Sequence, residues 1–384
     1  MIKCKSIFDS ETIQLMHNKA ENVISIPKHE ILLSYRFQCL SPFTENFNDR
    51  FFVILTKDKL YLSKDLPSVI SLTKRIRIDC CINLRWTYLT FYEMNKQINH
   101  PAYHLKFTDG HQLVWLVTYD PEIYYSWIES LTPLTLQTDF KTKYMVKKLL
   151  RNEHFYNLYV LIDRRSGNEV LSKRFEKNNL KEKETHQFLS KQVEILTKLI
   201  HMKGVDKLIE IQECKNSVHV IMEYPNGNNL IELQKILSPS KILDILLYSL
   251  TILKDIHDKR ITHQNLTAEN IVISHYNPML TASDIRIINF DRAIIHTNKI
   301  LKRNIIKYKH HNKESKFHRE AHNNYHWKDM YDLGNLIQKL LKGDDLEASN
   351  NDMNLEKHSR ITLDRYLFPK NVLELPRPRK FISS

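Results

Sequence analysis

Glycine is scarce in this chain, with six in 384 residues, and there are twelve prolines. That composition excludes collagen-like and linker-dominated structure. Long apolar runs are missing too: none reaches the roughly 18–20 residues that a membrane-spanning helix needs. The first residues, "MIKCKSIFDSETIQ", break their few apolar positions with Lys, Asp and Glu, so the apolar centre of a secretory signal is absent. A cytosolic or nuclear setting is expected. Five cysteines (Cys4, Cys39, Cys80, Cys81, Cys214) make an odd number without CxxC spacing, which argues against a disulfide framework and against a zinc site. The nineteen histidines are scattered and none stands in an HExxH motif, so "KYKHHNKESKFHREAHNNYHW" reads as a polar loop rather than a metal site.

What is present suits a globular protein. With 42% hydrophobic and 26% charged residues, the chain can bury a substantial core and is long enough for two or three domains. The net charge of +13 would attract phosphates if clustered. The excess is dispersed, and a solvated basic surface is the plainer reading; no nucleic-acid module and no oligomerisation heptad is visible.

Residues 30–132 read as short strands, "ILLSYRF", "RFFVILT", "KLYLSK", "RIRIDCCINL", "YLTFYEM", "YHLKF" and "HQLVWLVTY", rich in β-branched and aromatic residues and separated by turn formers such as "TDGH"; this predicts an antiparallel meander. "PEIYYSWIESL" differs. Pro121 at its start, an acidic residue in the first turn, and Ile123, Trp127 and Leu131 at i, i+4 and i+8 predict a helix packing on the sheet. Seven strands and one helix with a central Trp resemble the pleckstrin homology domain, and "NDRFFVIL" is similar to that family's second strand. The resemblance implies an inositol-phosphate site at basic residues of the first two strands, here Arg36 and Arg50. The loop between them, "QCLSPFTENFND", is acidic and uncharged rather than basic, so protein docking or a purely structural role is the stronger expectation. "TPLTLQTDFKTK", residues 132–143, is polar and Thr-rich and marks the expected domain boundary.

From Tyr144 onward, strands come first and helices later. "YMVKKLL", "FYNLYVLID" and "NEVLSKRF" read as strands, the last two joined by "RRSGN" with Gly167 in a hairpin position. "KEKETHQFLSKQVEILTKLI" carries a helical stripe of Phe188, Val193, Leu196 and Leu199. Two strands follow, "KLIEIQE" and "SVHVIMEY", and then a long apolar helix, "PSKILDILLYSLTILKDIHDKR". After the loop "ITHQNLTAEN" come "NIVIS", "DIRIINF" and the helix "DMYDLGNLIQKLL". This order over residues 144–370 resembles the eukaryotic protein kinase fold, a sheet-rich lobe and a mostly helical one. The fold class expected is therefore α+β, an N-terminal pleckstrin-homology-like antiparallel barrel with a C-terminal helix followed by a bilobal kinase-like domain.

The resemblance assigns positions, and many of them hold the wrong chemistry. Where the family has a glycine-rich phosphate loop, "RNEHFY" puts Arg151, Glu153 and Tyr156 at the glycine positions and retains only Phe155; a glutamate repels phosphate and a tyrosine obstructs it. Lys173 in "VLSKRF" stands at the phosphate-binding lysine, and its helix partner is Gln192 instead of a glutamate, with Glu194 facing elsewhere. In "THQNLTAEN", His263, Leu266 and Asn270 are kept, while Gln264 and Asn265 replace the arginine and the catalytic aspartate. An amide has essentially no basicity near neutral pH, and a missing general base costs about 10²–10⁴ in rate. In "IRIINFDRA", Asn289 replaces the magnesium-binding carboxylate, Phe290 is kept, and Asp291 replaces the glycine. Magnesium demands hard charged oxygens, so the metal positions, Asn270 and Asn289, are weak, with Asp291 as a displaced substitute.

"VIMEYPNG" would line an adenine pocket, with Met222 at its back and Glu223, Tyr224 and Pro225 as the hinge. "DMYDLG" keeps Asp329 and Gly334, with Tyr331 as the aromatic, and Arg360 with Glu320 would form the lower-lobe ion pair. Between Gly334 and Arg360 the chain is about thirty residues shorter than the family pattern, which implies a shortened C-lobe.

Three carboxylates have become amides and the phosphate loop has lost its glycines. The expectation is a pseudokinase with a pleckstrin-homology-like docking module, a signalling scaffold or allosteric regulator whose partner is a protein, such as another kinase or its substrate. ATP would bind weakly or without magnesium. The alternatives are a divergent ATP-dependent serine/threonine kinase and a phosphoinositide-recruited adaptor with peripheral membrane contact.

Overall fold

The computed structural model describes residues 12–15, 23–40, 49–64, 76–94, 101–234, 236–274, 281–296 and 326–342. The chain divides into two compact units, Met1–Gly227 with Arg286–Ile295, and Asn228–Ile285 with His296–Ser384.

The first unit is organised by strands: β1 (Ile13–Leu15), β2 (Val23–Ile24), β3 (Leu33–Leu40), β4 (Arg50–Leu55), β5 (Lys59–Ser63), β6 (Ile76–Arg77), β7 (Cys80–Asn83), β8 (Tyr88–Met94), β9 (Ala102–Thr108) and β10 (Leu113–Thr118). Alternation sets the faces. Phe37, Cys39, Phe51, Val53, Leu105 and Leu116 point into one core, while Arg36 and Arg50 stay exposed, as the period-2 pleat requires. The order β7-β5-β4-β3-β10-β9-β8 is antiparallel throughout.

Helix α1 (Pro121–Leu131) follows. The Asp120 carboxylate accepts from the backbone N–H groups of Glu122 (2.9 Å) and Ile123 (3.2 Å), satisfying two of the orphan donors at the helix start. Trp127 is buried and meets Phe37 edge-to-face at 4.9 Å. The buried stripe is Tyr124, Trp127 and Leu131, with Ile123 only partly covered.

The Thr-rich stretch after α1 is not a solvated linker. Thr135, Leu136 and Gln137 are buried, and Leu136–Gln137 form β11, which pairs in parallel with β8 on one side and β15 on the other. Their backbone polar groups are satisfied by the ladder instead of by water. The strands on both sides of this stretch therefore belong to one fourteen-stranded sheet among the described residues.

Beyond β11 lie α2 (Phe140–Lys143), β12 (Tyr144–Asn152), β13 (Asn157–Asp163), β14 (Glu169–Glu176), α3 (Lys183–Leu199), β15 (Leu208–Glu213) and β16 (Ser217–Glu223), in sheet order β11-β15-β16-β14-β13-β12. Gly167 takes φ +74° in the β13–β14 turn, a left-handed conformation that favours a residue without Cβ. Helix α3 buries Leu189, Gln192, Val193, Leu196 and Leu199, and a second core joins it to Tyr156, Phe175, Val220 and Leu136.

In the second unit β17 (Asn228–Asn229) pairs with β19 (Ile271–Ile273), and α4 (Leu230–Leu233) and α5 (Pro239–Asp258) precede β18 (Ile261–Thr262). The Ser238 hydroxyl caps α5 and Pro239 occupies its first turn, the pairing that suits a helix start. Its face of Ile242, Ile245, Leu246, Ile252, Leu253 and Ile256 is buried, and α6 (Trp327–Lys342) buries Leu333, Leu336 and Leu340. Strand β20 covers Ile285–Ile287. Glu320, Arg360 and the shortened C-lobe expected from the sequence lie outside the described residues.

Candidate functional site

Lys173 sits on β14 with its side chain 5% exposed. Its ammonium forms an ion pair with the Asp291 carboxylate, donates to Gln192 Oε1 at 3.0 Å, and lies 5.0 Å from the centre of the Tyr156 ring. An ammonium has three donors, and these neighbours surround them. Gln192 is fully buried on α3, and its Nε2 donates to the backbone carbonyl of Phe290 at 2.9 Å. The amide thus accepts from a cation and donates to a carbonyl; an ionised glutamate could do only the first. The expected Lys173–Gln192 contact is present, but the charge comes from Asp291.

Tyr156 completes the closure. Its hydroxyl donates to the other oxygen of Asp291, and burial first, then the Asp291 carboxylate, push its phenol well above the ordinary range, so it stays a donor. The ring packs with Phe175 and Phe188 at 5.6 and 6.1 Å, and Phe155 stacks on Phe188 at 4.6 Å. Tyr156, at a glycine position of the phosphate loop, is 4% exposed and part of this core. In the turn itself Arg151 pairs with Glu153 at 2.9 Å, and the Glu153 N–H donates to the Tyr156 carbonyl. A backbone amide that could face an anion is already used.

Asp206 was missed by the sequence reading, because a single Asp after "MKGV" belongs to no motif. It accepts the backbone N–H of Asn289 at 2.8 Å, and Asn289 itself adopts φ +69°, a left-handed conformation that Asn tolerates. Burial raises the Asp206 carboxyl to about 6, against the hydrogen bond from Asn289. Asn289, Phe290 and Asp291 are therefore held by Asp206, Gln192 and Lys173 in turn.

The hinge positions follow β16. Met222 is buried opposite Leu171 and Leu208. Glu223 forms ion pairs with Arg286 at 2.8 Å and Lys207 at 3.4 Å, and Tyr224 and Pro225 are half-buried.

The second unit holds the loop 261–270. Its organiser is Asp329 on α6, fully buried, which accepts the backbone N–H groups of His263 (2.8 Å) and Gln264 (2.7 Å) and lies 2.8 Å from His257 Nε2. Burial opposes its ionisation, yet these hydrogen bonds hold its carboxyl below the usual range. Gln264 takes φ +64°. Asn270 donates from Nδ2 to the Asn265 carbonyl at 2.9 Å, a local brace. The loop is built and anchored, and Asn265 at its centre is half-buried but brings no proton acceptor.

Magnesium does not fit this donor set. Asp291, offered as a displaced ligand, is committed to Lys173 and Tyr156, Asp206 to the Asn289 amide, and the remaining groups are neutral amides. Among the described residues no group of three His, Cys, Asp or Glu is arranged to hold a metal. On the N-terminal strands, Arg36 lies opposite Phe52 and Arg50 opposite Gln38. The two guanidinium groups are diagonal neighbours on one exposed face, with Cα atoms roughly 7–8 Å apart.

A family model of the protein kinase domain matches residues 148–381. The chain belongs to the protein kinase family. Among curated proteins, it is 28% identical over 160 residues to the probable serine/threonine-protein kinase 2 of Plasmodium falciparum, covering 40% of this chain and 29% of that protein. It is 34% identical over 110 residues to the human serine/threonine-protein kinase ULK1, covering 28% of this chain and 10% of that protein. The chain thus spans less than a third of either relative. A crystal structure of Rad53 1–466 in complex with AMP-PNP aligns over 88% of this chain and 85% of that one at 18% identity, with a TM-score of 0.39. No helix of the described residues is long and apolar enough to cross a membrane.

Proposed function

We propose that this member of the protein kinase family is a pseudokinase, a scaffold or allosteric regulator that acts by binding a protein partner. The observation that carries the reading is the closed Lys173–Asp291–Tyr156 cluster. The cation that the fold offers to phosphates is already neutralised by a carboxylate of the same chain. A nucleotide phosphate would have to displace Asp291 from a low-dielectric site before it could reach Lys173. Asn265 in the anchored loop supports the same conclusion, since positioning without a base leaves proton transfer to water. ATP, if held, is held through the apolar hinge region around Met222, weakly or without magnesium. The N-terminal strands, in the continuous antiparallel order β7-β5-β4-β3-β10-β9-β8 and followed by a helix with buried Trp127, serve in this reading as a pleckstrin-homology-like docking module, residues 30–132, attached to a kinase-like domain, residues 144–370.

The test is thermal unfolding of the full chain with ATP, with and without magnesium. A ligand at about 100 times its Kd adds roughly 2.7 kcal/mol of stability. The proposal expects no magnesium-dependent shift, and no phosphate incorporation into a generic substrate that Lys173→Met removes. Magnesium-dependent stabilisation together with Lys173-dependent transfer would replace it by the second reading, a divergent serine/threonine kinase. That reading draws support from the two serine/threonine kinase relatives and from the intact Asp329 anchoring of the loop. Recruitment to phosphoinositides is a third possibility, supported by the Arg36–Arg50 face. Sedimentation with phosphoinositide vesicles tests it, and binding that is insensitive to Arg36→Ala and Arg50→Ala would reject it.

A further inference from the structure

We propose that Arg85, Trp86 and Tyr88, on the turn that enters β8, are positioning residues for the Lys173 cluster, so that the N-terminal strands carry part of the work of keeping it closed. The inference is independent of whether phosphoryl transfer occurs. Four observations converge on the turn. Trp86 and Tyr88, although they belong to the N-terminal strands, pack against the core that contains Tyr156, Phe175, Leu189 and Val193. The Tyr88 hydroxyl donates to the Glu213 carboxylate on β15, which is 3% exposed and is also paired with Lys177 at 2.6 Å. The Leu136 N–H donates to the Thr87 carbonyl at 2.8 Å, so β11 is laced to the same turn. Arg85 reaches Glu194 on α3 at 3.8 Å.

Trp86 adopts φ +71°. A bulky side chain persists in the left-handed region only where its surroundings over-determine it, and here the ring is held by the core of the neighbouring strands. The geometry of α3 explains the reach of the effect. Gln192 and Glu194 are two residues apart, about 200° around the helix, so α3 is held towards Lys173 on one side and towards Arg85 on the other. The partly exposed Arg85–Glu194 pair is weak by itself. Most of the coupling must run through Trp86 and the Tyr88–Glu213–Lys177 group, where the Glu213 carboxylate is buried and its polar partners are costly to lose.

Amide hydrogen exchange on the full chain tests this. In Tyr88→Phe and Trp86→Ala, exchange in α3 and β14 should rise by about tenfold or more, while β3–β5 keep the wild-type rate. Coupling is reciprocal, so Gln192→Leu should speed exchange at residues 85–88. If Trp86→Ala also releases β3–β5, the chain has unfolded as a whole and the milder Tyr88→Phe decides. Acceleration confined to residues 80–94 in Tyr88→Phe, with α3 and β14 unchanged, would overturn the proposal, as would Gln192→Leu leaving residues 85–88 unchanged.

Discussion

Replacing Asp291 by Asn should expose how much the closed cluster is worth. Lys173 and Asp291 are 5% and 22% exposed. Removing one member of a buried ion pair costs about 3–5 kcal/mol, chiefly because the other charge is left buried and alone. Here the lower end applies. Asp291 is partly hydrated, Gln192 Oε1 still accepts from the ammonium at 3.0 Å, and an Asn oxygen can still accept from Tyr156. A loss of about 3 kcal/mol, with a urea slope of about 3 kcal/mol/M, lowers the unfolding midpoint by about 1 M. The double variant Lys173→Met/Asp291→Asn separates charge from shape. With no ammonium left to strand, it should be more stable than Asp291→Asn alone by roughly 1–2 kcal/mol. Asp291→Asn should also raise the affinity for a polyphosphate, because the competing carboxylate is gone. If the two single losses simply add in the double variant, the side chains are not coupled and the closed-site reasoning fails.

Other outcomes follow from named groups. Asp206 has a folded carboxyl raised to about 6 from an ordinary value of 3.8, so the folded chain binds this proton more tightly than the unfolded one. Its contribution to stability is therefore present at low pH and is lost as pH rises from about 4 to about 6. Asp206→Asn should remove that slope relative to wild type and add up to about 3 kcal/mol at pH 7, as read from urea midpoints across pH; an unchanged slope would refute the assignment. Tyr156→Phe deletes a hydroxyl donor to a charged acceptor and should cost roughly 1.5–3 kcal/mol, with nucleotide affinity rising if the hydroxyl helps to exclude phosphate. Asp329→Asn replaces an ion that accepts two backbone N–H groups and neighbours His257. It should speed amide exchange at His263 and Gln264 by at least about tenfold and leave β12–β14 unaffected.

The elements were legible because their periods were strong. The β3, β4 and β14 segments, the α3 stripe, the Pro-initiated start of α1 and the long apolar run of α5 all became elements near the expected bounds. The positions of Lys173, Gln192, Asn289 and Asp291 could be read from motif order, and the structure brings these four together. Their partnerships could not be read. Nothing in "RNEHFY" says that Tyr156 turns inward towards Asp291, since that depends on Phe175 and Phe188 offering a ring-lined space from distant strands. Asp206 carries no local signal at all; its meaning comes from the left-handed backbone at Asn289, eighty-three residues away. The stretch 132–143 was read by composition as a boundary. Threonines are polar, yet Thr135 buries its hydroxyl against the Leu131 carbonyl at 2.8 Å, a local bond that makes the residue compatible with an interior.

The shared strand β11 has a practical meaning for anyone dividing the chain. A truncation near residue 140 would strip β15 of its neighbour, leaving a row of N–H and C=O groups and an uncovered apolar patch where Trp86, Tyr88 and Leu136 had been. Such an open edge is a template for pairing with other chains. The expected symptom is a fragment that is made but aggregates, and the nearest remedy is to cut before β1 or not at all.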